Sequence, residues 1–161
     1  MRKIVLILFA FILWLLLTWS FTLQSMAAGA AAALLVGLLF GNFFVEKAGL
    51  LFDPRRWFWA LVYIPVFLWE MTKANFDVAY RVLHPKLPID PGIVKVKTNL
   101  KSEMGIVFLA NSITLTPGTF TVDLKGQYLY IHCIKVKSTE LAEASHEIVD
   151  RFEKFLIKIF D

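Results

Sequence analysis

The chain has one cysteine, Cys133, and three histidines among 161 residues. A single thiol excludes an intrachain disulfide and a cysteine-rich metal cluster, and leaves the redox compartment open. Charge is scarce too. Asp, Glu, Lys and Arg make up 19% of the residues against 58% hydrophobic ones, fewer charges and more apolar surface than an ordinary soluble domain has. The shortage is concentrated at the N-terminal end, where no Asp, Glu, Lys, Arg or His occurs from Ile4 to Leu23 or from Met26 to Val45. At about 1.5 Å of rise per residue, either run is long enough to cross a hydrocarbon core of roughly 30 Å as a helix, the form that satisfies its own backbone there.

These runs predict an integral membrane protein anchored by a helical hairpin, residues 1–45. Arg2 and Lys3 precede an apolar run, as in a secretory signal, but the run is longer than a signal's apolar region and a second follows at once, which argues against cleavage. Arg2 and Lys3 before the first span and Lys47, Arg55 and Arg56 after the second put both hairpin ends on the cytoplasmic side, with the uncharged turn Thr22 to Ser25 outside. Gly29, Ala33, Gly37 and Gly41 recur every four residues along the second span. On a helix they form one smooth stripe that allows close helix approach, either to a partner subunit or to the chain's own first span. The stripe, together with the missing ionisable groups, describes a docking element better than a tether.

Asp53-Pro54 ends this part, and residues 46–84 form a loop and a third helix from about Arg55 to Leu83, expected to be bent at Pro65. Its first half is apolar and aromatic. In its second half Glu70, Lys73, Asp77 and Arg81 follow at spacings of three or four and pair along one face. If this helix crossed the membrane, Lys73, Arg81 and Lys86 would lie outside, against the charge rule. If it lay along or entered the inner face, Trp57, Trp59, Tyr63 and Trp69 would sit at the interface. The charge rule favours the second arrangement, with three full spans as the alternative.

Beyond His84-Pro85 the composition changes. Pro85, Pro88, Pro91 and Gly92 mark a stiff linker, and residues 85–161, with interspersed charges of both signs, read as a small soluble domain. The balance of signs argues against a nucleic-acid surface. Ile93 to Lys97 alternates as a half-buried strand. Lys101 to Leu115 reads as a helix stopped by Thr116-Pro117-Gly118-Thr119, and Phe120 to Leu124 and Tyr128 to Val136 as a hairpin. A final helix, Glu140 to Phe160, is capped by Ser138 or Thr139. The fold class is therefore a membrane helical hairpin, a third amphipathic or membrane-entering helix, and a small α+β domain of order β-α-β-β-α.

Chemistry is sparse. His132 and Cys133 are neighbours on a strand and point to opposite faces, so they do not share a metal. His146 lies among acidic residues on a solvated helix face. The hydroxyls around Pro117-Gly118 lack a histidine or carboxylate at matched spacing and suit capping better than nucleophilic attack. No glycine-rich phosphate loop follows a strand. The expectation is no enzyme, no cofactor and no metal. Ion transport through the chain itself would need ionisable groups at membrane depth, and neither clear span has one.

The run Leu109-Ala110-Asn111-Ser112-Ile113-Thr114-Leu115-Thr116-Pro117-Gly118-Thr119 carries a resemblance. With Pro91-Gly92-Ile93-Val94 before it, Tyr130-Ile131-His132 after it and Asn75-Phe76-Asp77-Val78 ahead of the linker, it resembles the E-type subunit of the Mrp (Mnh) multisubunit cation/proton antiporters. Related E-type subunits occur in the Mrp-like modules of archaeal membrane-bound hydrogenases and sulfur-reducing complexes. The resemblance implies an accessory, non-conducting subunit of a hetero-oligomeric cell-membrane complex that exchanges sodium for protons, with the lipid bilayer and other subunits as partners. Under that resemblance the turn Thr116, Pro117, Gly118 and Thr119 is a structural element and a candidate subunit contact, though the resemblance itself does not make it a site. A membrane-tethered regulatory or ligand-binding module is the alternative.

Overall fold

A computed structural model describes residues 2–41 and 53–161. They fall into two compact units, Met1–Asp53 and Pro54–Asp161. The expected second span beyond Gly41, and Lys47, lie outside the described residues.

The first unit is a helical hairpin, α1 (Arg2–Thr18) and α2 (Leu23–Phe40). The first uncharged run outlasts its helix, because Trp19 takes a left-handed φ of 47° and ends α1 there. The turn is therefore Trp19 to Thr22 rather than Thr22 to Ser25. Thr22 is the N-cap of α2, its side chain accepting from the Ser25 backbone N–H. Among the described residues, Leu23–Phe40 alone is long and apolar enough to cross a membrane; Lys3–Thr18 is apolar but shorter. Leu8, Phe9, Ile12 and Leu16 on α1, and Leu35, Leu38 and Leu39 on α2, are exposed. An apolar outer face of this kind suits lipid or another apolar helix, not water.

The second unit begins with α3 (Pro54–Leu83), a 30-residue helix that continues through Pro65. Pro54 occupies its first position, where the missing N–H costs nothing. Strand β1 (Gly92–Lys97), helix α4 (Glu103–Leu115), strands β2 (Thr119–Lys125) and β3 (Tyr128–Cys133), and helices α5 (Leu141–Ile148) and α6 (Asp150–Phe160) follow. The sheet is antiparallel with order β1-β3-β2. Ser102 caps α4 by accepting from the Gly105 N–H, and Gly126, at φ +59°, makes the hairpin turn between the paired Lys125 and Tyr128. A register shift between Thr121 and Asp123 places Val122 at a bulge in β2.

Alternation along the strands decides the layers. Val94 and Val96 on β1, and Leu129, Ile131 and Cys133 on β3, point inward and are buried. They share one core with Ile106, Leu109 and Ile113 of α4, Ala144 and Ile148 of α5, and Phe152 and Leu156 of α6. The helices thus gather on one face, forming an α+β sandwich.

Two expectations change here. The final helix is two, α5 and α6, meeting at Val149, whose backbone N–H bonds Ser145 O while its own carbonyl accepts from Phe152 and Glu153. The sequence hid the break because Val149 is itself apolar and fully buried, three residues before Phe152 and seven before Leu156 of the stripe Leu141, Ala144, Ile148, Phe152, Phe155, Leu156 and Ile159, and no glycine or proline marks it. The start of α5 also differs: Glu140 is its N-cap and makes no side-chain cap bond, while the Ser138 hydroxyl accepts from the Glu140 N–H instead.

Helix α3 is packed on the α+β unit. Phe67 and Tyr63 lie against Phe152, Tyr63 and Trp59 against Phe155, and Lys158 Nζ sits 3.7 Å over the Trp59 ring. Arg56 donates to the Ile159 carbonyl at 2.6 Å. Half of the aromatic set assigned to a membrane interface, Trp59 and Tyr63, therefore serves as packing within this unit, while Trp57 and Trp69 stay exposed.

Candidate functional site

The small-residue stripe of α2 faces α1. A Cβ built on Gly29 would lie 2.5 Å from Trp14, one on Gly37 would run into Ile7, and one on Gly41 would come within 2.5 Å of Lys3. Ala33, between them, is 2% exposed. The close approach that the stripe permits is thus taken up inside the hairpin. Trp14 Nε1 also donates to Ser25 Oγ at 3.4 Å, tying the helices near the turn.

The second candidate, Thr116 to Thr119, borders a charged cleft of about 280 Å³. The second half of α3 forms one wall, and the 116–119 turn, the segment after β3 and the α5–α6 helices form the others. Glu70, Lys73, Asp77 and Arg81 line it as their spacing requires. Lys73 pairs with Glu70 at 2.5 Å, and Arg81 grips Asp77 through two nitrogens at 2.7 and 2.8 Å. Arg81 also donates to the Pro88 carbonyl at 2.7 Å, holding the proline-rich linker to the end of α3. Two further pairs involve residues outside α3: Arg151, distant in sequence, reaches Glu70 at 3.6 Å, and Lys137 pairs with Glu147. The carboxylates of the cleft are thus matched by cations.

The turn itself is occupied by local bonding. Thr116 is 3% exposed, and its hydroxyl donates to the Ser112 carbonyl at 2.8 Å. Thr119 Oγ1 donates to the carbonyls of Ile113 and Thr116, and the Gly118 carbonyl accepts from the Ile134 N–H. Gly118 has φ +89°, and a Cβ there would press on Ile134 and Val78, so glycine is needed both for backbone and for space. The hydroxyls close the C-terminal end of α4, and none stands beside a base. Pro117 and Gly118 are half-buried.

His132 and Cys133 point to opposite faces of β3; Cys133 is buried, and burial above all pushes its thiol pKa up, with the Glu147 charge adding to the effect and Arg151 opposing it. His146 is exposed, 3.9 Å from Asp150. Among the described residues no group of three or more His, Cys, Asp or Glu side chains could hold a metal.

Sequence reasoning missed Glu153. It sits on α6, is 5% exposed, and accepts from the Thr98 hydroxyl, the Asn99 backbone N–H at 2.7 Å and the Asn99 amide at 3.0 Å. Its place four residues after Val149 and three before Leu156, on the apolar stripe, was the available signal. The Tyr63–Ser112 hydroxyl pair at 2.5 Å had none, since 49 residues separate them.

Among the described residues, an apolar helical hairpin suited to a membrane precedes an α+β unit whose polar groups cap, latch and pair. A family model described as Na+/H+ ion antiporter subunit (MNHE) matches residues 7–159, and the chain belongs to that family. It is 39% identical over 135 residues to the E-type Na(+)/H(+) antiporter subunit of Alkalihalophilus pseudofirmus, covering 80% of this chain and 84% of that one. Identity to the corresponding E-type antiporter subunit of Bacillus subtilis is 34% over 148 residues, 88% and 90% of the two chains. Among solved structures, a chain of the membrane-bound sulfane sulfur reductase, an archaeal respiratory membrane complex, superposes with a TM-score of 0.83 at 46% identity and 99% coverage of both chains.

Proposed function

We propose that this chain is an accessory, non-conducting subunit of a multisubunit monovalent cation/proton antiporter or Mrp-like antiporter module, working in assembly and support of the complex. One observation carries the non-conducting part: α2, the helix fit to cross a membrane, contains no ionisable side chain, and α1 has none beyond Lys3. Moving a cation or proton through a bilayer needs such groups or a polar cavity along the path. The nearest carboxylates in sequence on α3, Glu70 and Asp77, are engaged by Lys73, Arg151 and Arg81. In this reading the hairpin spans the cell membrane with both ends cytoplasmic, as Arg2, Lys3, Lys47, Arg55 and Arg56 direct, and Pro54–Asp161 lies on the cytoplasmic side.

The test is Glu70→Gln in the assembled complex, with sodium-dependent proton flux measured in inverted membrane vesicles. Flux within about twofold of the parent is the expected outcome, because uniform changes of a support contact leave the transport step alone. Loss of flux with the complex intact would overturn the non-conducting reading.

The near-complete match to a chain of a sulfane sulfur reductase complex favours a second reading of the host, a redox-driven relative in place of a stand-alone antiporter. The proteins that comigrate with the full chain in mild detergent decide it: large antiporter subunits alone for the first, redox subunits as well for the second.

A further inference from the structure

Among the described residues of Pro54–Asp161, nothing covers the face of the sheet turned away from the helices. On it lie Lys95 and Lys97 of β1, Lys125 of β2, and Tyr128 and Tyr130 of β3, in register: Tyr128 is paired with Lys97 and Lys125, and Tyr130 with Lys95 and Asp123. Toward the other end are exposed Ile93 and Phe120, paired on either side of His132. Two of the three lysines are held by the rings. Lys95 Nζ lies 4.1 Å above the Tyr128 ring and 6.0 Å from Tyr130, and Lys125 Nζ is 5.7 Å from Tyr130. A ring face attracts an ammonium and holds it in place. Lys125 is paired with Asp123 at 3.1 Å, whereas Lys95 and Lys97 have no carboxylate partner among the described residues.

We propose that this face docks a carboxylate-rich, extended segment of a neighbouring protein in the complex, a neighbour that the accessory-subunit reading above requires to be present. Charge complementarity selects the sign: three ammoniums stand against one carboxylate, already used. Geometry selects the shape. Alternate residues of an extended strand are about 6.8 Å apart, the same period that separates Lys95 from Lys97, so carboxylates at alternate positions of the incoming segment meet both. Tyrosines suit the centre of such a contact because they bring large, rigid surface with a polar tip. Ammoniums held over rings at set positions fit a partner of defined spacing better than the diffuse charge of a lipid surface.

Lysine acetylation of the purified complex tests this, read by mass spectrometry beside the isolated full chain in nanodiscs of phosphatidylcholine and of phosphatidylcholine with phosphatidylglycerol. The complex should acetylate Lys95 and Lys97 more slowly than the isolated chain, on the order of tenfold, and a carbodiimide should couple one of them to an Asp or Glu of a neighbouring protein. Lys95→Glu with Lys97→Glu should abolish the coupling; both side chains are exposed, so folding is spared. Equal reactivity in complex and isolated chain overturns the proposal. Protection by phosphatidylglycerol alone, without other proteins, overturns it in favour of lipid. Failure of the chain to copurify with any membrane protein sinks the accessory-subunit reading itself, a result distinct from reactive lysines in an intact complex.

Discussion

The hydroxyls of Tyr63 and Ser112 meet at 2.5 Å and join α3 to α4 across 49 residues of sequence. Ser112 in turn donates to the Phe108 carbonyl at 2.7 Å, so the Tyr63 hydroxyl donates to Ser112 Oγ. The pair lies where the rings of Tyr63 and Phe67 close over Phe152, and it pins a long amphipathic helix to the α+β core. Tyr63→Phe keeps the ring and removes the bond. Thermal unfolding of the full chain in detergent should show a loss of about 1 kcal/mol, and Tyr63→Phe with Ser112→Ala should cost less than the sum of the two. Additive losses would mean the hydroxyls are not coupled.

Glu153 latches α6 to the segment after β1. Its carboxylate takes three donors from Thr98 and Asn99 in a place 5% exposed. Glu153→Ala leaves those donors buried and unpaired, at a cost of about 2–3 kcal/mol, and Glu153→Gln recovers part of it. Urea titration of the full chain measures both, and a neutral Glu153→Ala would remove the latch from the account.

In the hairpin, a Cβ at position 37 runs into Ile7. Gly37→Ala should therefore separate α1 from α2 and destabilise the hairpin by about 1–3 kcal/mol, despite alanine's better helix propensity. Leu38→Ala, on the exposed side, is the control. Pairs of cysteines placed across the helices and cross-linked in membranes report the separation; unchanged cross-linking in Gly37→Ala would show that the helices do not pack through the stripe.

Cys133 is the one thiol, 5% exposed, and its pKa is raised chiefly by burial. A folded-state pKa above the unfolded one means the neutral thiol is favoured by folding. That contribution is complete below the unfolded thiol's pKa and is lost as pH rises through the folded value. Iodoacetamide, which needs the thiolate, should modify the folded chain at neutral pH at least about tenfold more slowly than the urea-unfolded chain. Equal rates would place Cys133 at the surface.

Much of the second unit was legible because its signals are local. Alternation in β1, the Pro117-Gly118 stop and the turn of the β2–β3 hairpin each lie within a few residues of what they shape, whereas the Ser102 cap fell inside the helix expected from Lys101. The charged face of α3 was legible for the same reason, since Glu70–Lys73 and Asp77–Arg81 are pairs within one helix. What escaped was distant or masked by a stronger pattern. The break at Val149 continues the apolar stripe without a glycine or proline, and it exists because α5 packs on β1 while α6 packs on α4 and α3. Trp59 and Tyr63 read as interfacial residues because aromatic rings beside apolar stretches suit both a membrane surface and a protein core.

By itself the sequence determined that the N-terminal residues form apolar helices joined by a short uncharged turn, and that a proline-marked boundary leads to a charged α+β domain. Hydrophobic period and charge spacing act on neighbouring residues, so no fold is needed to read them. Only the tertiary structure decided which faces pack within the chain. The Gly29 to Gly41 stripe is spent on α1, the Thr116 to Thr119 turn on its own carbonyls, and one side of α3 on α6. Within Pro54–Asp161 the lysine-and-tyrosine face of the sheet stays uncovered, because exposure is set by what packs on a residue, and that partner can come from anywhere in the chain.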